Sequence, residues 1–167
     1  MEPEEAWSVE LTQARHDGSK MANAIRSGTA LAISDGSLKL RRGTSAVIME
    51  DEGIPQSRII ILNRVPGFAE DQSPYRSELA GVCGIMTLTE NLIRYYNIKS
   101  GSIRIGLDGE SVVKRLQNPG SIKAGHRSFD LLQYITRKVE KMPITITFFG
   151  LKAIKMTKVI KYPMKGN

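Results

Sequence analysis

Cysteine occurs once in this 167-residue chain, as Cys83, so an internal disulfide is excluded and a reducing, intracellular compartment is expected. The acidic start Met1-Glu2-Pro3-Glu4-Glu5 is not followed by an apolar stretch, which argues against a secretory signal. No apolar run approaches spanning length, so no membrane partner is expected. Internal repeats and low-complexity blocks are also missing, and the length suits one ordinary domain able to bury a core without staples. Acid is absent from Gly150 to Asn167, where five lysines (Lys152, Lys155, Lys158, Lys161, Lys165) stand. Removing those five charges from the formal +7 leaves +2 for the rest, so the basic balance belongs mostly to the end of the chain and reads as a solvated tail.

What is present is an ordered series of strand and helix signals. A helix is expected over 20–26, then apolar strands over 30–34, 44–49 and 58–65. Asp35-Gly36 and Arg42-Gly43 bracket the first connection, and Asp51-Glu52-Gly53 with Pro55 marks the second, giving an antiparallel meander. Ser73 as cap and Pro74 in the first helical position open a helix that runs to Tyr96. A strand over 102–107, a short helix over 110–116, an amphipathic helix over 128–141 and a final alternating strand over 143–149 follow. The order predicts an α/β protein in which one mixed sheet, a three-stranded antiparallel meander plus parallel strands, is flanked by helices.

Three carboxylates stand where charge is costly. Asp35 and Asp108 each follow an apolar strand and precede a glycine, and the two strands are expected to be neighbours in the sheet. Glu78 lies four, seven and eight residues before Val82, Ile85 and Met86, on the helix face that packs on the sheet. Singly, each has an ordinary reading: Asp-Gly is a turn signal, and a glutamate in the first turn favours the helix dipole. Together, unpaired acids repel and resist desolvation unless a divalent cation binds among them, and an oxygen-only cluster suits Mg²⁺.

Ser34-Asp35-Gly36-Ser37, Tyr75-Arg76-Ser77-Glu78-Leu79-Ala80 and Ile105-Gly106-Leu107-Asp108-Gly109 resemble the three successive acidic motifs of type 1 ribonuclease H domains, of the kind carried by retroelement-derived open reading frames. The resemblance covers residues 23–149, with 1–22 as an N-terminal extension and 150–167 as an atypical Lys-rich tail. It implies hydrolysis of the RNA strand of an RNA–DNA hybrid, with Asp35, Glu78 and Asp108 holding two Mg²⁺ ions, or Mn²⁺ in their place. Strand choice would then rest on 2′-hydroxyls and duplex shape. Gly36 and Gly109 would let the backbone come close to metal and phosphate, and Ser37, Arg76 and Ser77 would donate hydrogen bonds to the nucleic acid.

The family's fourth part, a Val-x-Gly-His segment with a further aspartate, is absent, since no histidine or aspartate follows Asp130. Lys152 to Thr157 can be written AAG GCC ATC AAG ATG ACN, which from the third base encodes Gly-His-Gln-Asp-Asp. The chain therefore reads as leaving its ancestral frame near Phe149, a reading the coding DNA decides. Loss of the fourth carboxylate implies an impaired nuclease, and a catalytically inactive nucleic-acid-binding or interaction module is the alternative. Asp130, His126 and His16 are poor substitutes: a helix-start acid, a loop histidine and a histidine without motif context. A sugar-kinase or actin-like reading is disfavoured, because a second phosphate loop is missing and the chain is too short for two lobes.

Overall fold

The computed structural model describes residues 3–151. Six strands form one mixed sheet: β1 (Leu11–Ala14), β2 (Ala30–Lys39), β3 (Arg42–Asp51), β4 (Ile54–Arg64), β5 (Ser102–Leu107) and β6 (Thr145–Gly150). Four helices accompany it: α1 (Ser19–Ser27), α2 (Pro74–Tyr96), α3 (Glu110–Gln117) and α4 (Phe129–Lys141). The strand order is β1-β4-β3-β2-β5-β6, with β2, β3 and β4 as the antiparallel meander and β5 and β6 added parallel to β2. This is the predicted fold class. The tail beyond 151, including the frame-change reading, lies outside the described residues.

The longest helix carries its own start and stop signals. The Ser73 hydroxyl accepts the Arg76 N–H at 3.0 Å, Pro74 fills the first helical position, and Asn97 ends α2 in the left-handed region at φ 54°. Between those ends Leu79, Val82, Cys83, Ile85 and Met86 are fully buried against the sheet. Its glycines permit the close approach: a Cβ at Gly81 would collide with the Ser34 hydroxyl, and one at Gly84 would meet the Ser8 carbonyl oxygen at 2.7 Å.

Two expectations about β2 and the amino-terminal segment are corrected. The first meander strand does not end at Ser34 with an Asp35-Gly36 turn. Pairing continues through Asp35↔Ala46 and Gly36↔Ser45 to Lys39↔Arg42, and the turn falls on Leu40 and Arg41. Gly36 is a close-approach residue instead: a Cβ there would lie 2.6 Å from the Glu78 nitrogen and 2.6 Å from the Ser77 Cβ. Backbone cannot yield as a side-chain tip can, so Gly36→Ala is expected to cost about 1–3 kcal/mol. A thermal melt with an unchanged midpoint would show that α2 shifts freely on the sheet.

Residues read as an N-terminal extension join the domain. β1 pairs with the outer edge of β4, Met21 and Ala22 of α1 enter the core, and the Ser8 hydroxyl donates to the Thr87 hydroxyl of α2 at 2.7 Å. β1 left no periodic signal because all four of its residues are exposed.

Candidate active site

Parallel pairing of β2 with β5 ends at Ser34↔Leu107. Asp35, still within β2, and Asp108, the first residue past β5, come next, so the register sets them side by side where the parallel pairing stops. Glu78 reaches the same place from α2, where it is 7% exposed. Its carboxylate accepts the N–H groups of Asp108 (3.1 Å to Oε1) and Gly109 (3.0 Å to each oxygen). Gly109 permits this, since a Cβ there would strike Glu78 Oε2. The three acids line a cleft of about 250 Å³, walled by Gly36, Pro74, Tyr75, Ser111 and Val112.

Electrostatics in the cleft is uncompensated. Among the described residues none of the three acids pairs with a lysine or arginine. Partial burial raises the Asp35 carboxyl above its ordinary value, and the Asp108 charge raises it further. Burial also raises Glu78; the amide hydrogen bonds from Gly109 and Asp108 offset part of this, while the charges of Asp108 and Asp35 add to it. Oxygen-only donors with unbalanced negative charge fit a hard divalent cation in chemistry and sign. Among the described residues, however, no three acidic, histidine or cysteine side chains are drawn together tightly enough to hold an ion as they stand. The Glu78 carboxylate is turned to the amides at the start of α3.

The residues expected to contact nucleic acid separate into two groups. Ser37 is exposed on β2, its hydroxyl 2.9 Å from that of Thr44. Arg76 and Ser77 are committed inside the protein. Arg76 makes two 2.8 Å bonds to the Asp130 carboxylate and donates through Nε to the Pro66 carbonyl, and Ser77 is fully buried, donating to the Ser37 carbonyl at 3.0 Å. Both side chains are buried and bonded within the protein, and Gly36 lies against α2. Asp130, read as a helix-start acid, is the partner that keeps Arg76 charged indoors. His126 accepts the Lys123 N–H within its own loop, and His16 bridges the Ser57 carbonyl and the Gly18 N–H.

Tyr75 and Ser111 at the cleft wall were not anticipated. Tyr75 precedes Glu78 by three residues, a spacing that shares a helix face, and the Arg127 guanidinium lies 4.8 Å from its ring centre. That spacing was the available signal for Tyr75; Ser111 had none beyond its nearness to Asp108.

No protein-family model and no curated protein matches the sequence. Solved structures do match. LC11-RNase H1 in complex with an RNA/DNA hybrid aligns with a TM-score of 0.52 at 11% identity, over 74% of this chain and 87% of the other. The fold is ribonuclease H-like. An N-terminal RNase H domain from Mycobacterium tuberculosis (TM-score 0.46, 10% identity, 72% and 80% covered) and RNase H1 from Halobacterium salinarum (0.40, 14%, 74% and 87%) are also similar. At 11% identity, the alignment with LC11-RNase H1 speaks of the fold and of nothing finer. Among the described residues, no helix is long and apolar enough to cross a membrane.

Proposed function

We propose that this ribonuclease H-like domain is a divalent-metal-dependent nuclease for the RNA strand of RNA–DNA hybrids. The observation that carries the reading is the convergence of Asp35, Glu78 and Asp108 on one cleft with no cationic partner among the described residues. These three side chains would hold Mg²⁺, or Mn²⁺, which supplies a nucleophilic water at neutral pH and charge stabilisation at phosphorus. Asp35 would present its carboxylate from within β2, Asp108 from just past the end of β5 and Glu78 from the helix, so three rigid elements would fix the site. Ser37 is the one anticipated nucleic-acid donor left exposed beside the cleft. A retroelement origin is part of the proposal and rests on the spelling of the three motifs alone.

Cleavage of a strand-labelled RNA–DNA hybrid with Mg²⁺, abolished by chelation, is the test; absence of cleavage across Mg²⁺ and Mn²⁺ would sink it. The same preparation reports on metal by thermal shift. Because Asp35 and Glu78 hold their protons more tightly folded than unfolded, the stability they contribute is present below the unfolded carboxylate range. It is lost as pH rises through their raised values. Mg²⁺ at neutral pH is therefore expected to raise the Tm, by an amount growing with the logarithm of its concentration. A second reading, a binding or interaction module without catalysis, is favoured by the Glu78 carboxylate being turned onto two backbone amides. It predicts hybrid binding with neither cleavage nor a Mg²⁺-dependent Tm.

A further inference from the structure

A second charged feature lies at the far end of the β2–β3 hairpin. Lys39, Arg41 and Arg42 surround the turn and Arg64 joins them from β4; all four are exposed, and none pairs with an acid among the described residues. The register aligns them with the cleft. Residues directly opposite in a sheet project to the same face, and alternate residues of one strand do too. Lys39↔Arg42, Ser37↔Thr44 and Thr44↔Arg64 therefore place Lys39, Arg42 and Arg64 on the face that carries Asp35 and Ser37. Asp35 and Lys39 are four residues apart on one strand, about 13 Å at ~3.3 Å per residue. A groove of about 620 Å³ lined by Arg41, Arg42, Thr44, Arg64 and Gln72 runs beside this row.

The turn itself is an outlier. Leu40 and Arg41 both occupy the left-handed region, at φ 51° and 60°, where two-residue hairpin turns favour Asn-Gly. Leu40 is 96% exposed, with no packing to compensate. Non-glycine residues held in this region are strained and cluster at ligand clamps and active sites, which makes the unpacked turn a candidate point of contact.

The geometry points to the β2–β3 hairpin end as a grip on the phosphodiester backbone of a nucleic-acid duplex lying across the cleft. Lys39, Arg41, Arg42 and Arg64 neutralise phosphates a few base-pair steps from Asp35, and Leu40 rests against the sugars of the minor groove. The inference rests on the nuclease reading for the identity of the duplex but not for its chemistry. A lone apolar tip in a row that continues into an acidic cleft favours nucleic acid over a membrane surface.

The test is anisotropy of a labelled RNA–DNA hybrid with the full chain in EDTA, over a salt series. Replacing Arg41, Arg42 and Arg64 together by glutamine should weaken binding about 10- to 100-fold at low salt and flatten the salt slope by roughly 2–3, at about 0.7–0.9 per phosphate lost. Leu40→Asn with Arg41→Gly should raise the Tm while lowering affinity, a combination that a purely structural turn would not give. Unchanged affinity and slope in the triple variant would overturn the grip even if the wild type cleaves. Weakened binding in a protein that never cleaves would support the grip while the nuclease reading falls. Binding to anionic vesicles with no measurable hybrid binding would overturn the grip, while cleavage alone decides the nuclease reading.

Discussion

Asp35→Asn is expected to abolish Mg²⁺-dependent hybrid cleavage while leaving the domain folded. The loss should be at least on the order of 10²–10³-fold, the scale set by removing one preorganised charged group from a reacting centre. Asparagine keeps the shape and removes only the charge, so the β2 pairing to Ala46 need not change. A folding readout separates this from damage. Asp35 has its carboxyl raised by burial and by Asp108, so the charged form is disfavoured without metal. Metal-free Asp35→Asn should therefore melt no lower than wild type at neutral pH, and its Mg²⁺-induced rise in Tm should shrink. Cleavage within tenfold of wild type would remove Asp35 from the mechanism.

Asp130→Ala should produce a large loss of stability for a change at a mostly exposed position. The Arg76 side chain is only 6% exposed and Asp130 is 63% exposed, so truncating the carboxylate leaves a buried guanidinium holding one hydrogen bond, to the Pro66 carbonyl. Stranding a buried charge costs about 3–5 kcal/mol when both partners are enclosed. Water around Asp130 already screens the pair, which lowers the expectation to about 2–3 kcal/mol, a fall in Tm of roughly 4–12 °C. The sign with pH follows from Arg76 holding the Asp130 carboxyl below its ordinary value. The pair's stability is present above the unfolded aspartate range and is lost as pH falls through the depressed value, so Asp130→Ala should flatten that acid limb. Arg76→Met combined with Asp130→Leu should recover most of the loss, because two apolar partners leave nothing unpaired.

Legibility in the sequence followed the physics of each element. α2 was readable to its ends because Ser73, Pro74 and the apolar face are local signals, and the meander was readable because β-branched runs stood between turn residues. Glu78 was readable as misplaced charge on an apolar helix face and is buried; Asp35 and Asp108, read the same way after apolar strands, are exposed. The end of β2 was not, because Asp-Gly spells a turn locally and only the packing of α2 reveals Gly36 as a point of contact. The roles of Arg76 and Ser77 depended on partners 54 and 40 residues away, Asp130 and the Ser37 carbonyl, which no local window contains. The Leu40-Arg41 turn defeated prediction for the opposite reason: its residues contradict the conformation they adopt.

Glu78 has a consequence for how the cleft can fill. Its carboxylate is satisfied by the amides that begin α3, so the protein carries an internal competitor for anything the three acids would bind. Apparent affinity is then scaled by the fraction of molecules in which that side chain is released. Filling the cleft through Glu78 would then free the Asp108 and Gly109 amides that lead into α3.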